Sequence, residues 1–204
     1  MSAGYLKRIS DKKLQLLLQA KGAVLIEGPK WCGKTRSAEE IAKSVLYMQD
    51  QDSIKANMLT AKVKPSLLLE GETPRLLDEW QVAPELWNAV RFAVDKRRLK
   101  GQFILTGSVV PKRTDDMHTG TGRIARMKMR TMSLFESGDS SGDVSIESLF
   151  NGEITMEGMS QLSIEKIAFI LNRGGWPDAA QEDNEKISLA VAADYLEAIA
   201  NEDI

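Results

Sequence analysis

The residues best suited to chemistry stand in one row, Gly28-Pro29-Lys30-Trp31-Cys32-Gly33-Lys34-Thr35. They fit the phosphate-binding pattern G-x-x-x-x-G-K-[ST] at every fixed position. In such a loop the backbone N–H groups converge on an anion, and the positive pole of the following helix favours its charge. Lys34 would neutralise the β- and γ-phosphates of a nucleotide, and the Thr35 hydroxyl would ligate Mg²⁺. All eight residues are therefore expected against the nucleotide. Cys32 would be shielded by it, with Lys30 and Lys34 favouring a reactive thiolate. A chance Gly/Lys loop is the plain alternative. The flanks argue against it, because Ala23-Val24-Leu25-Ile26 suits a buried strand and Ser37 to Met48 reads as a helix.

Two more clusters could serve the same chemistry. Arg75-Leu76-Leu77-Asp78-Glu79 is a short apolar strand ending in two carboxylates, the Walker B arrangement when it lies downstream of a phosphate loop. Asp78 would hold Mg²⁺, usually through water, and Glu79 would polarise the attacking water. A doubly wound sheet would bring this strand end and the loop to one rim. Phe103-Ile104-Leu105 reads as a buried strand followed by Thr106-Gly107-Ser108, which puts two hydroxyls at its carboxyl end. A site role and a hydroxyl-rich turn are equally open there.

The elements that must position these groups follow from periodicity. Tyr5 to Ala20 has the apolar spacing of an amphipathic helix. Ser44 to Met48 is also readable as a short strand, Asp50-Gln51-Asp52 as a turn before a helical turn from Ser53, and Pro65 as a helix stop ahead of the Leu67-Leu68-Leu69 anchor. Pro84 to Leu99 reads as a helix burying Trp87, Val90 and Val94, with a basic end at Lys96 to Lys100 and a closing Gly101. Residues 109–122 form a polar loop holding His118. Arg123 to Thr131 alternates as a half-buried strand, with Arg126, Lys128 and Arg130 on its basic face. Ser137 to Asp143 has linker composition. Beyond it Ser163 to Asn172 and Glu185 to Ala200 read as helices about a Gly174-Gly175-Trp176-Pro177 turn, the second with Ile187, Val191, Tyr195, Ala198 and Ile199 on one face.

The expected fold is α/β, a P-loop NTPase-like parallel sheet flanked by helices. A core over 1–136 and a linker over 137–143 precede a small, acidic, mostly helical segment over 144–204. Of the 204 residues 43% are hydrophobic and 27% charged, an ordinary globular balance. One cysteine and one histidine exclude a disulfide framework and a zinc cluster. No apolar run has membrane-spanning length, and a cytoplasmic location is the default. The net charge of −2 conceals a split: residues 1–130 hold 24 Lys+Arg against 14 Asp+Glu, and the remainder 3 against 15. The blander explanation is that the acidic part shields the basic one, and the sharper is that the basic part meets a polyanion.

Together with Leu77-Asp78-Glu79-Trp80-Gln81, Arg91 with Asp95, Gly101 to Ser108, Gly122-Arg123, Ser133-Leu134-Phe135-Glu136 and Gly174 to Pro177, the phosphate loop resembles a large prokaryotic family of predicted AAA+-like ATPases. These have an AAA_14-type core, usually followed by a DUF4143-type C-terminal domain. The resemblance runs from Tyr5 to Ile204 and implies that the further domain is essentially missing here, so that the chain is cut short. It implies roles for Lys34, Thr35, Asp78 and Glu79 as above, and for Ser108 or Thr106 in positioning the lytic water. Arg123, with Arg91 as the alternative, would stabilise charge, and an arginine acting in trans would need a homo-oligomer. The expected function is a Mg²⁺-dependent ATPase coupling hydrolysis to a conformational change of an attached domain. A nucleotide-dependent switch with negligible turnover competes with it. So does a nucleic-acid-binding module using Arg126, Lys128, Arg130 and the Lys96–Lys100 cluster, disfavoured by the acidic part and the lack of interleaved aromatics. A small-molecule kinase is remote, because Asp78-Glu79 suits water activation better.

Overall fold

Strands that are apolar along their whole length need cover on both faces, which a parallel sheet between helices provides. The computed structural model describes residues 4–107, 119–152 and 158–202. The Ser108 and His118 expectations fall outside the described residues. One unit, Arg8–Arg130, carries β1 (Ala23–Glu27), β2 (Ser44–Tyr47), β3 (Arg75–Asp78), β4 (Phe103–Gly107) and β5 (Ile124–Lys128). All five are parallel, in the order β2-β3-β4-β1-β5. The central strand β4 is buried at every residue. Because β4 lies between β1 and β3, Thr106 is in register with both Ile26 and Asp78. The expected α/β sheet is thus present, and the carboxyl ends of its three middle strands share one rim.

Helices α1 (Ile9–Ala20), α2 (Lys34–Glu39), α3 (Ile54–Val63) and α4 (Glu85–Arg97) flank the sheet. Along α4, Leu86, Trp87, Val90 and Val94 are buried with Leu25, Leu77, Phe103 and Leu105. Trp87 meets Trp80 at 5.1 Å between ring centroids. Truncating so large a buried ring typically costs about 3–5 kcal/mol, so Trp87 is part of what holds the rim in place. Among the described residues no helix is long and apolar enough to cross a membrane.

Three local expectations are corrected. The helix read over Ser37–Met48 starts earlier, at Lys34, and ends at Glu39. Ser44–Tyr47 then extends to pair with Arg75–Asp78, realising the strand alternative. Gly101 does not close α4: Arg98 takes the left-handed cap with φ 55° and donates its N–H to the Val94 carbonyl at 2.9 Å. Gly101 (φ 64°) sits in the next turn, donating to the Lys21 carbonyl at 2.9 Å. The helical turn expected from Ser53 grows into the whole of α3, which stops before Pro65.

The other unit comprises Met1–Lys7 and Thr131–Ile204 and carries α5 (Ile146–Phe150), α6 (Ile164–Arg173), α7 (Pro177–Ala180) and α8 (Glu185–Glu202). Met132 donates its N–H to the Gly175 carbonyl at 2.6 Å, and a Cβ on Gly175 would lie 2.2 Å from the Met132 carbonyl oxygen. Trp176 packs on Tyr195 at 3.9 Å between centroids, which anchors the Gly-Gly-Trp-Pro turn on α8. Within the stretch read as a linker, Asp139 accepts from the buried Arg173 at 2.7 Å and from the Ser137 hydroxyl at 2.5 Å. Burial pushes the Asp139 carboxyl up, but those two donors outweigh it and hold it below its ordinary range. On α8 the buried face is Ser188, Ala192 and Tyr195, with Ile187 exposed. At the head of that face Ser188 donates to the Ala179 carbonyl at 2.7 Å.

Candidate functional site

The phosphate loop springs from the end of β1 and is shaped by its neighbour β5. Met129 donates to the Glu27 carbonyl at 2.7 Å, and a Cβ on Gly28 would lie 2.3 Å from the Met129 carbonyl oxygen. Only glycine fits there. Two loop residues are left-handed, Trp31 at φ 59° and Gly33 at φ 95°. For tryptophan that conformation is strained, and such strain persists where surrounding contacts over-determine it. The Trp31 side chain is exposed, as are Pro29 and Lys30, while Cys32 and Lys34 are buried.

Lys34 donates its ammonium to the carbonyls of Gly28 at 3.0 Å and Pro29 at 2.8 Å, so the cation lies across the loop it belongs to. Cys32 departs from expectation. Its thiol is fully buried, 4.0 Å from the Met129 carbonyl oxygen, and burial pushes its pKa up against the lowering charges of Lys34 and Arg8. A buried thiol of raised pKa is inert.

Across the rim, Thr35 and Thr106 both donate to the same oxygen of Asp78, Oδ1, each at 2.6 Å. Thr106 is completely buried. Its hydroxyl is committed to fixing the carboxylate. Glu79 follows in the left-handed region at φ 53° and heads a short 3-10 turn over Trp80–Val82. Gln81 donates its Nε2 to Glu79 Oε2. The Gln81 Oε1 is buried with no partner among the described residues, and a Cβ on Gly107 would press on it at 2.3 Å. Gln81 was legible only as part of a family motif, with no role attached.

The site is suited to Mg²⁺ by its donors. Mg²⁺ is usually held by one or two carboxylates together with substrate phosphates. Thr35 keeps lone pairs for a cation while donating its proton to Asp78. Among the described residues no cluster of three His, Cys, Asp or Glu could form an all-protein metal cage. Thr35 and Asp78, hydrogen-bonded to each other at 2.6 Å, are the groups that could hold the ion.

The two arginines are elsewhere. Ala23 is in register with Ile124 and donates to the Arg123 carbonyl at 3.2 Å, so Arg123 stands at the amino end of the strands. At about 3.3 Å per residue the phosphate loop is roughly 16 Å away along β1. Arg123 pairs with Asp95 at 2.8 Å and Arg91 with the same carboxylate at 3.6 Å. The Arg123 hydrogen bond holds the Asp95 carboxyl below its usual range. The same rim has a cleft of about 540 Å³ whose wall includes Lys21, Arg98, Lys100 and Arg123. At the middle of β5, Arg126 is paired with Glu27 at 2.7 Å and lies over the Trp87 ring, which reduces the basic face expected there.

One buried charge behind the loop was not foreseen. Arg8, only 7% exposed, donates through Nη1 to the Cys32 carbonyl and through Nη2 to the Arg130 carbonyl, each at 2.8 Å. In sequence it is one basic residue among several near the N-terminus, with nothing to mark it.

With this geometry in hand, comparison with known proteins gives a family. A family model described as "AAA domain" matches residues 20–137. The chain is similar to the structure of C. elegans PCH-2, with 16% identity and a TM-score of 0.42, over 92% of this chain and 65% of that one. It is also similar to a Signal Transduction ATPase with Numerous Domains (STAND) protein with a tetratricopeptide repeat sensor from Pyrococcus horikoshii. Identity there is 15% and the TM-score 0.47, over 94% of this chain and 32% of that one. The chain thus spans less than two thirds of either structure. No curated protein matches it.

Proposed function

Since the chain belongs to the AAA domain family, we propose that its carboxyl rim binds Mg²⁺-ATP and hydrolyses it, coupling turnover to a conformational change. The observation that carries this reading is the convergence of Thr35 and Thr106 on Asp78 Oδ1 beside the buried Lys34. The loop's N–H groups and Lys34 hold the β- and γ-phosphates. Thr35 and Asp78 hold Mg²⁺, which when bound offsets the charge of the phosphate oxygens. Glu79 accepts the proton of a water as that water bonds to the γ-phosphorus and the bond to the bridging oxygen of ADP breaks. Lys34 moves from the Gly28 and Pro29 carbonyls to the phosphates, exchanging neutral acceptors for charged ones. Ser108 is the remaining candidate for orienting the water. Arg123, on the far rim, reaches phosphates only on a second copy of the chain, so its role requires a homo-oligomer.

A second reading has an observation of its own. Gln81 occupies a lone pair of the Glu79 carboxylate, which restrains the base and favours a nucleotide switch with slow basal turnover. Single-turnover hydrolysis by wild type and Gln81→Ala, with and without Mg²⁺, separates the two. Release of a restrained base predicts that the variant turns over several-fold faster at unchanged ATP affinity. A slower variant would make Gln81 an aid to hydrolysis and reject the restraint.

A further inference from the structure

A guanidinium taken from water is costly to keep unless its donors are met, and Arg8 meets them on backbone carbonyls. The planar fork directs Nη1 to Cys32 and Nη2 to Arg130, each at 2.8 Å, while the Arg8 N–H is anchored on Asp11 Oδ2 at 2.8 Å. One rigid group therefore ties the phosphate loop to the segment that leaves β5.

The point of attachment matters because of peptide geometry. Cys32 lies between two left-handed residues, Trp31 at φ 59° and Gly33 at φ 95°. Its carbonyl begins the peptide whose other end is the Gly33 N–H. In a planar trans peptide the C=O and N–H point in opposite directions. With the Cys32 oxygen fixed toward Arg8, the Gly33 N–H must face away from Arg8. A flip of this one peptide, cheap beside a glycine, would reverse both groups and present a carbonyl where a donor stood.

We propose that Arg8 is a positioning residue for the phosphate loop, holding the Cys32 carbonyl so that the Gly33 N–H is presented to a bound polyphosphate. The consequence for ligand binding rests on the loop's being the ATP site, whereas the orientation of the peptide does not. The charge of Arg8 also adds to the positive potential behind the loop, since it acts on the Cys32 thiol in the same sense as Lys34. The ligand class is a di- or triphosphate, bound at its charged end.

The test compares wild type with Arg8→Gln, which loses the charge and the fork, and Arg8→Lys, which keeps the charge but not the fork. The Cys32 carbonyl-carbon and Gly33 amide-nitrogen NMR shifts, which move when the carbonyl loses a charged donor, are read without nucleotide together with amide exchange in β4, and binding of ATP and of inorganic pyrophosphate is titrated. A hydrogen bond to a charged group is worth enough to change a local equilibrium by roughly tenfold. In Arg8→Gln both shifts should move and both ligands bind about tenfold more weakly, with β4 amides still protected; Arg8→Lys should fall between. Unchanged shifts in both variants would overturn the proposal. So would loss of protection in β4, which would make Arg8 a general structural residue. Shifts that move in Arg8→Gln, with wild type binding neither ligand, would leave the peptide orientation standing and remove the ATP site.

Discussion

At the carboxyl rim of the sheet, Thr35 and Thr106 donate to one oxygen of Asp78 and Lys34 is buried against loop carbonyls. At the amino rim, Arg123 and Arg91 share Asp95 with side chains between 26% and 47% exposed. The same strands join the two rims, yet the charges serve differently. On the carboxyl rim Lys34, Asp78 and Glu79 are held by neutral donors and acceptors. On the amino rim opposite charges already meet one another in water, where screening leaves little net energy. A parallel sheet gathers ligands at the carboxyl ends of its strands, and the packing here follows that division. Charge density alone would point to the amino rim, whereas buried and hydrogen-bonded charge singles out the carboxyl rim, where we propose the site.

The largest expected effect lies on the carboxyl rim. Glu79→Gln keeps size and hydrogen bonding but removes the base, so single-turnover hydrolysis should fall roughly 10²-fold or more with ATP affinity unchanged. Equal turnover in variant and wild type would move the base elsewhere and leave Asp78 unaffected. Next is Thr106→Val, which keeps the shape of a buried side chain and deletes one donor to Asp78. Loss of a hydrogen bond to a charged group amounts to about 1.5–3 kcal/mol, so Mg²⁺-dependent ATP affinity should weaken by about tenfold or more. Unaltered affinity would mean that Thr106 does not fix the carboxylate and that the rims differ less than described.

The smallest effect belongs to the amino rim. Asp95 titrates below its usual range because Arg123 donates to it. Its contribution to stability is therefore present above the ordinary carboxylate pKa and is lost as pH falls through the lower folded value. Exposure keeps that contribution small, so Asp95→Asn should shift the thermal midpoint slightly and leave ATP binding unchanged. A large loss of ATP affinity in Asp95→Asn would join the two rims into one site and break the contrast.

How much of this was legible follows from the kind of signal each residue carries. The loop, β3 and β4 could be read because consecutive apolar runs and fixed motif spacing are local properties. The end of α2 was ambiguous because Ser44-Val45-Leu46-Tyr47 is too short for its period to separate strand from helix. Its pairing with Arg75–Asp78 is a contact between distant segments. Cys32 lies in a motif that invites a reactive reading, whereas its buried thiol meets the Met129 carbonyl, 97 residues on. Arg8 likewise depends on carbonyls 24 and 122 residues away. The rim of Arg123 was within reach of the sequence. A residue just before a parallel strand must stand opposite a loop that follows one.

Whether the carboxyl rim is a nucleotide site is decided by equilibrium titration of ATP into wild type and Lys34→Ala, with and without Mg²⁺. Saturable binding by wild type, strengthened by Mg²⁺ and abolished or severely weakened in Lys34→Ala, is the predicted result. Equal binding by the two proteins would contradict it.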